Sequence, residues 1–168
     1  MLRKSKVVIS QPLEDDKVLE TGVVVQTVTP LQEITRADHL RKAHDWFEAK
    51  YNVTVDDFLN GFKEATKRDS LTLEQQKMWD SLTMLGGWST FMSATSSLVH
   101  RTLDGDKAGA WEYEPVPEGW KDFETCVNDL PSVLLTKAVD EIHKLNPNLW
   151  IQATDEEQKK IVHVTETL

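Results

Sequence analysis

Apolar positions along the chain change their spacing once near the start, from clustered β-branched runs to a helical period that recurs behind polar caps. Lys6-Val-Val-Ile-Ser10 and Gly22-Val-Val-Val-Gln-Thr-Val28 are β-branched, and a polar, acidic stretch containing Pro12 separates them. They predict two strands of a hairpin or small sheet. The second run is partly continuous instead of alternating, which implies cover on both faces.

After Pro30 the period becomes helical. Thr35 with Asp38 predicts a helix start, with Leu40, Ala43, Phe47 and Tyr51 recurring at three and four residues and Asn52 as the stop. Thr54 with Asp57 opens a second helix, in which Val55, Phe58, Leu59 and Phe62 fall at i, i+3, i+4 and i+7. Thr72 with Gln75 opens a longer one: Met78, Leu82, Leu85, Met92 and Val99 lie near one line, and Trp79, Trp88, Phe91 and Leu98 widen the stripe. Gly86-Gly87 interrupts it at about 1 kcal/mol each relative to Ala, marking a kink, a break or the approach of another backbone.

Residues 103–119, with three Gly and two Pro, predict a loop. A helix over about 119–128 presents Trp120, Phe123 and Val127. Pro131 opens another, with Leu135, Ala138, Ile142 and Leu145 on one face, and Asn146-Pro147 ends it. Thr154 with Glu157 predicts a short last helix before Val162 and Val164. The expected fold is mainly α, a multi-helix bundle with a small N-terminal β-hairpin or two-stranded segment. A single domain, 1–168, divides into a β-rich segment 1–30, a helical core 31–102, the loop 103–119 and an acidic helical part 120–168, with that loop as a potential hinge. Phe58, Phe62, Leu82, Leu85, Phe91, Leu135 and Ile142 are the expected core.

Six Trp, five Phe and two Tyr in 168 residues supply the apolar surface for one core. The net charge of −9 is uneven: residues 104–168 hold 6 Lys/Arg against 14 Asp/Glu. That balance opposes phosphate-backbone binding, which needs clustered cations, so no nucleic acid partner is expected. It suits either a soluble face or a basic protein partner. The apolar run Val7–Ile9 is far too short for a signal core or membrane span, and the lone Cys126 has no disulfide partner. No membrane association and a cytoplasmic location are therefore expected.

Candidate chemistry is sparse. His39 and His44, five residues apart on a helix, point roughly 140° apart and do not form an i, i+4 ligand pair. Asp104-Gly-Asp106 with Gly109 opens like a calcium loop, but Ala108 and Pro115 occupy positions that must supply oxygen. Asp15-Asp16, Asp56-Asp57 and Glu156-Glu157 are adjacent pairs that point apart and suit helix N-termini. Cys126 follows Phe123 on an apolar face as a packed thiol. No phosphate loop, nucleophile elbow or dinucleotide fingerprint is present, so neither enzymatic activity nor a cofactor or metal is expected. The candidate partner contacts are aromatic. Trp111 and Tyr113 alternate between the acidic neighbours Glu112 and Glu114, and they either anchor a partner or fold back over the core. Trp88 and Trp120 are further anchors.

The order of elements carries a resemblance. An extended start, the strand Gly22 to Val28, a Pro30-Leu31 step and a helix containing Ala37-Asp38-His39-Leu40 come first. Then come the helix start Val53-Thr-Val-Asp-Asp57, a Trp-rich helical segment ending Ser97-Leu98-Val99-His100, a loop, and two helices joined at Leu130-Pro131. Over about 22–147 this resembles the lambda-type tail assembly chaperones of long-tailed bacteriophages. The resemblance implies a non-virion helper in the host cytoplasm that binds the tape measure protein and helps recruit tail-tube subunits. In that family a frameshifted longer product adds a tube-binding extension. Self-association is open. Two other classes fit the composition: a virion structural or connector protein, and a small acidic inhibitor of a nucleic-acid-binding protein.

Overall fold

The computed structural model describes residues 2–61 and 71–147. Phe62 and the expected helix after Thr154 lie outside the described residues.

The chain begins with an antiparallel hairpin of β1 (Lys4–Pro12) and β2 (Lys17–Gln26). Asp15 and Asp16 make its turn at φ 61° and 58°, a left-handed conformation that Asp tolerates better than most residues. This pair thus serves a hairpin, not a helix N-terminus.

α1 (Pro30–Tyr51) starts more than a turn before the expected Thr35. Thr29 accepts from the Gln32 N–H while the Gln32 side chain accepts from the Thr29 N–H, and Pro30 sits where its missing N–H costs nothing. Thr35 instead donates back to the Leu31 carbonyl within the helix. Asn52 ends α1 in the left-handed conformation. α2 (Val55–Asn60) is capped by Thr54, and α3 (Leu73–Ala94) by Thr72 in a capping box with Gln75. α3 runs unbroken through Gly86-Gly87. A Cβ on Gly86 would meet nothing within 4 Å and one on Gly87 only the Val139 side chain at 3.9 Å, so no close backbone explains the pair.

The largest departure follows. The expected helix through Val99 stops at Ala94, and β3 (Thr95–Asp104) pairs antiparallel with β2. Thr95-Ser96-Ser97 is weak helix-forming sequence beside an unfilled strand edge, and the ladder along β2 outweighs another turn of helix. The expected loop also contains strand. β4 (Lys107–Ala108) returns on β3 around Gly105 at φ 60°, and β5 (Glu112–Glu114) pairs with β3 as well. A 3-10 turn (Glu118–Lys121) leads into α4 (Phe123–Asp129), capped by Asp122, and then α5 (Ser132–Leu145).

The molecule is therefore an α+β fold and not a mainly-α bundle. Among the described residues helix still exceeds strand, 55% to 25%, yet their five-stranded antiparallel sheet is a structural layer of its own. Helices cover one face of it, where Val7, Val23 and Val25 join Phe47, Phe58, Leu85, Trp88, Phe91, Cys126 and Ile142 in one core. Leu82 and Leu135 sit at its margin, partly buried. α5 packs on α3 and on β1 and β2. Asn146 locks that junction, accepting from the Val28 N–H and donating to the Gln26 and Ile142 carbonyls. Among the described residues no helix is long and apolar enough to cross a membrane.

Candidate functional site

Side chains alternate across a strand, so the register assigns residues to the two faces of the sheet. Val23 and Val25 point to the helices. Val24, between them, points to the opposite face with its register partners Lys6 and Ser97. The next row holds Val8, Gly22, Val99 and Tyr113, and the row beyond it Glu20 and Arg101. Three consecutive valines are buried in β2 because both faces have cover, as the continuous run implies.

On this face, helix-free among the described residues, Val24 and Val99 form a buried floor outside the helix-facing core. Trp111 and Tyr113 stand over it. Tyr113 is 57% exposed, and Trp111 is half-buried between two cations. The Arg101 guanidinium lies 4.1 Å from the Trp111 ring centre, and the Lys6 ammonium 5.0 Å from it and 5.6 Å from the Tyr113 ring. Such cation–ring contacts fix ring orientation at about 0.5–1 kcal/mol each when exposed. Glu20 holds Arg101 in place through both carboxylate oxygens, at 3.3 and 3.4 Å. On the reverse side of β5, His100 Nε2 is 2.5 Å from Glu112, and its Nδ1 is 4.0 Å from Glu114. The two carboxylates that flank Tyr113 are thus drawn to one side while the ring is presented on the other.

A pocket of about 600 Å³ opens beside the rings, lined by Lys4, Lys6, Ser97 and Tyr113 among others, with Val24 at its base. The polar side chains that line it end in ammonium and hydroxyl groups.

The other two expected contacts belong elsewhere. Trp88 is 1% exposed and Trp120 8%, so neither ring offers a surface to a partner. Trp88 Nε1 donates to the Trp120 carbonyl at 3.1 Å, and the Trp88 ring meets His39 and Phe123 edge-on, at 5.1 and 5.6 Å. Trp88, a large ring whose only polar atom finds a backbone acceptor, is stable in the core, and the buried Trp120 packs beside Phe91. Lys4, Lys6, Glu20 and Arg101 were not among the expected site residues. The alternation Lys4-Ser5-Lys6-Val7 already separates the lysines from the core face, whereas Arg101 is legible only once 95–104 is a strand.

Among the described residues no group of three or more His, Cys, Asp or Glu is arranged to hold a metal ion. Cys126 is fully buried, and burial, reinforced by Asp129, pushes its thiol up to about 12. It is a packed side chain with negligible thiolate at neutral pH. A second surface is an apolar groove of about 320 Å³ between α3 and the α4–α5 pair, lined by Met84, Gly87, Val127, Leu130, Leu135 and Val139 among others. Compared with protein-family models, curated proteins and solved structures, the chain matches none.

Proposed function

We propose that this chain is a non-catalytic protein-binding helper that holds its partner on the helix-free face of the sheet. The observation that carries the reading is the pair Trp111 and Tyr113, standing over a buried valine floor and oriented by Arg101 and Lys6. Tryptophan and tyrosine dominate interface hot spots, and rings already oriented lose little entropy on binding.

The role that fits best is that of a phage tail assembly chaperone, binding a tape measure protein and helping recruit tail-tube subunits. It rests on the element order: strand β2, the long helix α1, the capped start of α2 and the α4–α5 junction at Leu130-Pro131 occur in that sequence. The segment Ser97 to His100 departs from it, being strand.

Co-expression with the products of neighbouring genes, followed by affinity capture, tests the role. Recovery of a very long helical protein together with a tube-forming subunit supports it, and recovery of neither overturns it. The face itself is tested by Trp111→Ala with Tyr113→Ala. Capture is expected to weaken about thirtyfold, roughly 2 kcal/mol, with the denaturation midpoint unmoved. Unchanged capture by the stable double variant would exclude this face.

A further inference from the structure

We propose that the free edge of β1 binds an extended acidic segment of a partner protein by strand addition, its carboxylates meeting Lys4 and Lys6. The inference rests on the helix-free face being a protein-binding surface, and it adds the conformation and charge of what is bound.

The backbone is the first observation. At one end of the hairpin the Thr27 N–H donates to the Arg3 carbonyl, and at the other the Leu13 N–H donates to the Lys17 carbonyl. The register between these ends is uninterrupted, so the odd-numbered residues of β1 bond to β2. The N–H and C=O groups of Lys4, Lys6, Val8 and Ser10 then point away from the sheet, and none of them is hydrogen-bonded among the described residues. Pro12 fits this phase, since its missing N–H would face outward. β1 is the end strand of the sheet, so four consecutive outward positions stand ready for a further strand.

Charge is the second observation. The side chains of Lys4 and Lys6 rise on the helix-free face and line the pocket with Ser97 and Tyr113. Neither forms an ion pair with a carboxylate among the described residues, in a chain whose net charge is −9. An added strand places alternate side chains beside Lys4, Lys6 and Val8. Acidic residues opposite the lysines complement that row.

Lysines on an edge strand also act as guards against pairing, and the two roles give opposite results. The intact chain is titrated with a blocked peptide of about ten residues alternating Glu and Val, a common strand length, and with its Lys-Val counterpart. Amide hydrogen exchange is read at Lys6 and Val8. The Glu peptide is expected to slow exchange at both amides by on the order of tenfold, and the Lys peptide not at all. Val8→Pro removes an outward N–H without touching the bonds to β2, and it abolishes the protection. Lys4→Glu with Lys6→Glu transfers protection to the Lys peptide, which keeps the test decisive even if the proline variant folds poorly. No protection by the Glu peptide, or equal protection by both peptides, overturns the inference. Partner capture that survives both edge variants but not removal of Trp111 and Tyr113 sinks the edge and leaves the ring face standing. Capture lost in the edge variants but kept without the rings does the reverse.

Discussion

The Arg101 guanidinium lies 4.1 Å from the centre of the Trp111 ring while the same side chain binds both oxygens of Glu20, its direct neighbour across the sheet. A ring in the segment between β4 and β5 is thereby tied to β2 through one arginine. Arg101→Ala is expected to release Trp111, seen as a shift and broadening of its indole N–H resonance. Arg101→Lys is not expected to restore it, because an ammonium lacks the planar fork that stacks and binds bidentately. A Trp111 signal unchanged in Arg101→Ala would show that the ring is held by other contacts.

Trp88 and Trp120 separate volume from hydrogen bonding. Trp88→Ala opens a cavity at the centre of the core and is expected to cost about 3–5 kcal/mol in chemical denaturation. Trp88→Phe fills part of that space but strands the Trp120 carbonyl, at about 1–3 kcal/mol. A Trp88→Ala midpoint equal to that of the parent would mean the ring is not packed as described.

His39 gives stability a pH dependence. Burial against Trp88 lowers its pKa below the ordinary value, because the charged imidazolium is the form that burial penalises. The unfolded chain therefore binds a proton more readily than the folded one. This group's contribution is fully present above the unfolded value of about 6.5 and is lost as pH falls from there toward the folded value. Comparing the denaturation midpoint at neutral and mildly acidic pH, His39→Phe is expected to flatten the decline. An equal decline in both proteins would assign it to other groups.

Two glycines are expected to respond in opposite directions. A Cβ on Gly22 would collide with the Val7 carbonyl, a contact only backbone movement relieves, so Gly22→Ala should disrupt the β1–β2 ladder. A Cβ on Gly86 meets nothing within 4 Å, and Gly86→Ala should stabilise α3 by about 1 kcal/mol. Thermal denaturation of the two variants checks both signs, and a Gly86→Ala loss of stability would show that the site is not open.

Local chemistry made several elements readable. Thr54 and Thr72 each meet the exposed N–H three residues on, so their helix starts depend on no distant contact. The same logic identifies Asn52 as a stop. Thr29 and Gln32 form an equally local box, and the competing pair Thr35 and Asp38 obscures it only because both patterns fit a capping rule. The candidate site was legible only in the alternation of Trp111 and Tyr113, and the residues that orient them were not visible.

What the sequence by itself determined is the set of interactions closed within a few residues: the caps of α2 and α3, the hairpin of β1 and β2, the face of α5 and the excess of acid in the last third. Only the tertiary structure decided that Thr95–Asp104 is a strand, that Trp88 and Trp120 are core, and that Arg101, Glu20 and Lys6 gather around Trp111. The spacing from Met92 to Val99 suits a helical stripe, yet Val99 lies opposite Gly22 in the β2–β3 ladder. That ladder joins residues seventy or more positions apart, and its hydrogen bonds exist only once both strands are in place. A local period carries no information about a partner so distant, so the choice between helix and strand belonged to the neighbour across the sheet.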